Sequence, residues 1–134
     1  MLSKHPDQCR FPHGHSRTIE IVVASDTLDA HDMVCDFSAL KAAAAEAVHR
    51  FDHAFALNSA DPRSAEFRAA YGERIVAFPD TDPTTEVLAR AIFRQVRAKL
   101  AGPPADPARP VGAAVRLERV RVTETATCWA EYWE

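Results

Sequence analysis

Much is scarce in this chain of 134 residues, and each scarcity excludes something. No apolar run approaches the roughly 20 residues that span a bilayer as a helix, so no membrane partner is expected. Neither sign of charge dominates. Lys and Arg number 16 against 19 Asp and Glu, a net charge of −3, so nothing pulls the chain towards nucleic acid. Cysteine is limited to Cys9, Cys35 and Cys128, an odd and scattered set, and the start lacks the basic, apolar and small-residue succession of a secretion signal. Reduced thiols in a cytoplasmic protein are therefore expected. No internal repeat is visible. Low complexity is confined to the alanine run Ala42 to Ala45 and a Pro-rich piece from Gly102 to Pro110. What remains is a globular composition, 47% hydrophobic, which at this length is enough for one domain over residues 1–134.

The hydrophobic pattern predicts mixed secondary structure. Alternation from Ser16 to Ala24 puts Ile19, Ile21 and Val23 on one face of a strand. A helix follows with Asp36 or Ser38 as N-cap and Phe37, Leu40, Ala44, Val48 and Phe51 as its apolar stripe. Leu57-Asn58 and Asp61-Pro62 read as a loop, Ser64 to Tyr71 as a short helix stopped by Gly72, and Arg74 to Phe78 as a short strand. Asp82-Pro83 reads as an N-cap acid with proline at the first helical position, opening a helix to about Leu100. Ala113 to Thr125 is extended, with a phase slip between Leu117 and Val120 that predicts a bulge or strong twist. Trp129 to Trp133 reads as a final strand. This order predicts an α+β fold, an antiparallel sheet with helices on one face.

The stretch Cys9-Arg10-Phe11-Pro12-His13-Gly14-His15 carries the densest chemistry. In an extended segment, residues two apart share a face, so His13 and His15 can reach one ion. Gly14 leaves room between them, and neutral imidazole suits zinc, copper, iron or nickel. Cys9 is near enough for a cation to favour its reactive thiolate. The alternative is a surface loop that holds two histidines.

Four further segments join this one in a fixed order. They are Asp36-Phe37-Ser38-Ala39-Leu40-Lys41, Asp52-His53 with Leu57-Asn58, Pro83-Thr84-Thr85-Glu86, and Val122-Thr123-Glu124-Thr125. Together with the Cys-x-x-x-His-Gly-His motif they resemble the 6-pyruvoyltetrahydropterin synthase and 6-carboxytetrahydropterin synthase family. The resemblance implies a zinc-dependent lyase acting on 7,8-dihydroneopterin triphosphate, with a tunnelling-like fold that assembles into a homo-oligomeric barrel. The 6-carboxytetrahydropterin product, a 7-deazaguanine and queuosine precursor, is the branch favoured. The alternatives are the 6-pyruvoyl product, or a non-catalytic pterin-binding member without a complete zinc site.

The resemblance also implies roles. His13 and His15 become zinc ligands, and Cys9, Asp52 and His53 the catalytic group. A carboxylate beside an imidazole fixes its tautomer and raises its basicity. Glu124 becomes the pterin anchor, because a carboxylate accepts an amino group and a ring N–H side by side. Thr84 and Glu86 lie near the substrate or a subunit contact, although helix capping accounts for them equally. Two departures stand out. The loops at Ser59 to Thr81 and before Ala113 are longer than in short bacterial members. The family's third zinc histidine would also precede residue 1, so the N-terminal strand is expected to be missing and His5 is the nearest substitute.

Overall fold

A computed structural model describes residues 1–104 and 106–134. Ala105, within the Pro-rich stretch singled out above, lies outside the described residues. In chain order the elements are β1 (Thr18–Ala24), α1 (Phe37–His49), β2 (Phe55–Asn58), α2 (Ser64–Tyr71), β3 (Ile75–Phe78), α3 (Thr85–Leu100), β4 (Arg116–Thr125) and β5 (Cys128–Tyr132). Single 3-10 turns precede β1 at Gln8–Arg10 and β3 at Gly72–Arg74.

The expected antiparallel sheet is present, in the order β1-β4-β5. Its central strand carries the predicted phase slip. Val22 faces Arg119 and Val23 faces Leu117, so Glu118 is the extra residue of a bulge. The bulge restores Leu117, Val120 and Val122 to a common buried side. Helix α3 packs on that side with Ala89, Ile92, Phe93 and Val96, and α1 packs on α3 with Ala44 and Ala47. Helices α1 and α3 therefore lie on one face of this sheet, as expected. Phe93 is wholly buried, edge-on to Tyr132 of β5 with ring centroids 5.4 Å apart. Each such fully buried apolar side chain contributes roughly 1.5–3 kcal/mol.

Three local expectations are corrected. The buried face of α1 is made of alanines and Leu40, while Phe37 is 78% exposed. Small side chains let α1 sit close on α3, so the alanine run is part of the packing as well as a helix former. Residues 55–58 are not loop. They form β2, which pairs in parallel with β3 in a separate two-stranded sheet. Phe55 packs edge-on against Phe67 and Tyr71 of α2, which secures that sheet. Asp82 is not the N-cap of α3. Thr84 is, accepting from the Val87 N–H at 3.4 Å. Asp82 is buried instead and ties the chain start to the core, accepting from the Ser3 hydroxyl (2.6 Å), the Lys4 N–H (2.7 Å) and the Asn58 amide (3.0 Å). Other boundaries agree to within a residue or two, except that β4 begins at Arg116, three residues after the expected Ala113. Asp36 caps α1 through the Ser38 N–H, and Gly72, at φ +54°, ends α2. Among the described residues no helix is long and apolar enough to cross a membrane.

Candidate active site

The ends of β1, α1, α3 and β4 converge with the chain before β1 on a cavity of about 840 Å³. Cys9, His13, His15, Asp52, His53, Thr84, Glu86 and Glu124 all line it. Residues distant in sequence, singled out separately above, thus share one cavity wall.

Each reaches the wall for a local reason. Cys9 sits in the 3-10 turn, where its carbonyl accepts from the Leu2 N–H at 2.8 Å. The chain then runs extended to β1, so His13, His15 and Arg17 alternate onto one side. The two imidazoles meet edge-to-face with ring centroids 4.8 Å apart. His13 Nδ1 is 2.6 Å from the Phe11 carbonyl. A carbonyl can only accept, so Nδ1 carries the proton and Nε2 keeps its lone pair, the arrangement that suits a metal ligand. A Cβ at Gly14 would meet nothing within 4 Å. The chain's own packing therefore does not demand glycine there, and the space stays open on the cavity side.

Glu124 stands at a second irregularity of β4, where Thr123 faces Trp129 and Thr125 faces Cys128. Two residues beyond buried Val122, it points to the helix side. Its Oε1 lies 2.7 Å from an Arg17 guanidinium nitrogen and 2.8 Å from His15 Nε2, and its Oε2 accepts from the Thr85 hydroxyl at 3.0 Å. Burial pushes the Glu124 carboxyl up, but the bonds from Arg17 and Thr85 outweigh it and hold the group below its usual range. Burial also pushes His15 down, and the pull of Glu124 does not restore it. A neutral His15 that donates from Nε2 follows.

Asp52 and His53 follow α1 in a tight turn. His53 takes φ +51°, which brings its Nδ1 to 2.7 Å from Asp52 Oδ1. Both side chains are well exposed, at 68% and 87%. The carboxylate fixes the imidazole with its proton on Nδ1, leaving Nε2 as a base.

A catalytic zinc takes three protein ligands and a water. His13 and His15 bring two nitrogens, but no group of three His, Cys, Asp or Glu is placed to hold a metal among the described residues. His5 does not fill the gap. Its Nδ1 accepts from the Asp7 N–H at 3.1 Å, and it is not part of the cavity wall. The residues present do not by themselves make a complete zinc site.

Two wall residues escaped the sequence reading, Arg17 and His49. Arg17 had a signal, since it continues the 13, 15, 17 alternation. His49, in the last turn of α1, had none beyond its nearness to Asp52.

The family model for 6-pyruvoyl tetrahydropterin synthase matches residues 1–134. The chain belongs to this family. A relative in Aquifex aeolicus named 6-carboxy-5,6,7,8-tetrahydropterin synthase is 34% identical over 134 residues, covering 98% of this chain and 79% of that one. Solved structures share the fold. An uncharacterized protein of Wolinella succinogenes superposes with a TM-score of 0.69 at 20% identity, covering 93% of this chain and 80% of that one. The 6-pyruvoyl tetrahydropterin synthase of Plasmodium vivax gives 0.64 at 17%, covering 90% and 79%.

Proposed function

We propose that this chain is a lyase that converts 7,8-dihydroneopterin triphosphate to 6-carboxytetrahydropterin, a precursor of 7-deazaguanines such as queuosine. The observation that carries the reading is the convergence of Cys9, the Asp52–His53 pair and Glu124 on one cavity in a chain of this family. The name of the Aquifex aeolicus relative favours the carboxy product. Overall the reaction takes up one water and releases triphosphate and acetaldehyde, so several protons must move on the side chain of the pterin. Glu124 accepts the amino and ring N–H edge and orients the ring. Cys9, as thiolate, takes a proton from the side chain and returns one as thiol. His53, its Nδ1–H directed at Asp52, moves protons at the side-chain hydroxyls through Nε2.

Zinc is the metal the two imidazoles would suit when a third ligand is supplied, and the proton movements assigned here are made by the chain's own side chains. The incomplete ligand set is also the observation that favours the non-catalytic alternative. A homo-oligomer with the cavity near a subunit contact completes the proposal. The test is product analysis with 7,8-dihydroneopterin triphosphate. Acetaldehyde formed together with 6-carboxytetrahydropterin supports the reading. Triphosphate released without acetaldehyde points to the 6-pyruvoyl product. Pterin binding without turnover, in protein shown to carry zinc, leaves a binding protein.

A further inference from the structure

Glu124 reaches the cavity already engaged. A carboxylate offers about four lone-pair sites, and three are filled: two on Oε1 by Arg17 and His15, one on Oε2 by Thr85. A flat ligand presenting two adjacent N–H groups needs one free site on each oxygen. Oε2 has one. Oε1 gains one only when His15 or Arg17 withdraws.

The two donors are held differently. His15 lies in the extended segment ahead of β1, outside the sheet. Arg17 adjoins Thr18, which pairs with Thr123, so the antiparallel register sets Arg17 across from Glu124. Its bond also joins two opposite full charges, guanidinium and carboxylate, where a neutral His15 supplies only a dipole. The pair is not explained as a device for stability. The Arg17 Nε is buried and has no hydrogen-bond partner among the described residues, which is a cost to the folded state. Ion pairs taken out of water are poor stabilisers in any case.

We propose that Arg17 is a positioning residue for the proposed pterin site: it holds the Glu124 carboxylate towards the cavity while His15 yields its place on Oε1 to the ligand. The proposal rests on the pterin reading above. Arg17 acts through Glu124 and needs no contact with the reacting atoms.

The experiment uses neopterin as probe, with lumazine and pterin as a comparison pair, since lumazine carries an oxygen where pterin has the 2-amino group. Affinities are measured by titration calorimetry for the unaltered chain and for Glu124→Gln, Arg17→Ala, Arg17→Gln and Arg17→Lys, with melting curves alongside. Arg17→Ala is expected to weaken neopterin binding about tenfold. It should also shrink the preference for pterin over lumazine towards that of Glu124→Gln. Arg17→Lys should recover part of both, because an ammonium restores a charged donor without the fork. Arg17→Gln keeps the length of the stem without the charge, and gives the same comparison if the alanine variant is unstable. A merely structural role would lower the melting temperature and leave the pterin-to-lumazine ratio unchanged. Arg17 variants that bind and discriminate like the unaltered chain, while Glu124→Gln does not, would overturn this proposal alone. Equal, negligible neopterin binding by the unaltered chain and Glu124→Gln would overturn the pterin reading and this proposal with it.

Discussion

At the scale of single residues, the proposed function divides the cavity wall into groups that move protons and groups that hold the ligand. The proposal puts Cys9 in the first kind. Its backbone is fixed by the Leu2 bond, and its side chain lines the wall. Cys9→Ala should leave the fold and neopterin affinity intact and lower turnover by about a hundredfold or more, the usual scale for general acid–base groups. Product formation beside a binding isotherm measures both, and near-normal turnover would take Cys9 out of the mechanism. The proposal puts Glu124 in the second kind. Glu124→Gln keeps the shape but replaces an acceptor with a donor facing the ligand's own N–H. Losing a bond to a charged group costs about 1.5–3 kcal/mol, so pterin affinity should fall about tenfold or more. Calorimetry with unchanged affinity would exclude Glu124 as the anchor. Both residues were singled out through the motifs that carry the family resemblance, and both line the cavity. Arg17 was marked only by the 13, 15, 17 alternation, and its partner could not be read, because that is set by the register of β1 on β4, a relation that no local spacing records.

At the scale of elements, the Asp82 network decides how the chain start is fastened. Burial pushes the Asp82 carboxyl up, but bonds from Ser3, Lys4 and Asn58 prevail and hold it below its usual value. A carboxyl depressed in the folded state stabilises fully above its unfolded value of about 3.9 and loses that contribution as pH falls through the folded value. Asp82→Ala leaves the Asn58 amide, itself 1% exposed, with the Ser3 hydroxyl at 3.2 Å in place of two acceptors, so one buried N–H loses its partner. It should therefore destabilise by about 1–3 kcal/mol at pH 7. The gap between parent and variant in urea melts should shrink from about pH 4 downwards. A constant gap down to pH 2 would show that the charge of Asp82 is not what matters. The same residue shows where sequence reading stops. Asp-Pro before an apolar stripe is a sound local signal for a helix start, and α3 does start there. The carboxylate is nevertheless claimed by Ser3 and Asn58, which are far away in sequence. Strand β2 was missed for a related reason. Four residues without alternation have no period to detect, and their pairing with β3 is long-range. By contrast β1, β4 and the bulge at Glu118 were readable, because one buried face imposes a strict alternation and a slip in it is visible.

At the scale of the whole molecule, the isolated chain leaves two things uncovered. Strands β1 and β5 are the edges of the three-stranded sheet, each with a row of backbone groups unpaired on its outer side. Near the β5 edge, Trp129 and Trp133 are 52% and 66% exposed, with the Arg121 guanidinium 4.2 Å above the Trp129 ring. The Asp52–His53 pair stands in solvent as well, where water weakens every electrostatic interaction it makes. A second copy pairing along an edge would satisfy the backbone groups and cover the tryptophans, and one reaching the end of α1 would also desolvate the pair. We therefore expect an oligomer whose mass by light scattering is a multiple of 14.8 kDa. Specific activity should fall on dilution as it dissociates. A negative charge introduced at the edge, Trp129→Glu, should lower both the mass and the activity while the helical signal persists. The comparison separates assembly from folding, because Trp129 lies outside the core formed by α1, α3 and β4. A stable monomer with undiminished activity at every concentration would contradict the expectation and leave Asp52–His53 working in open solvent.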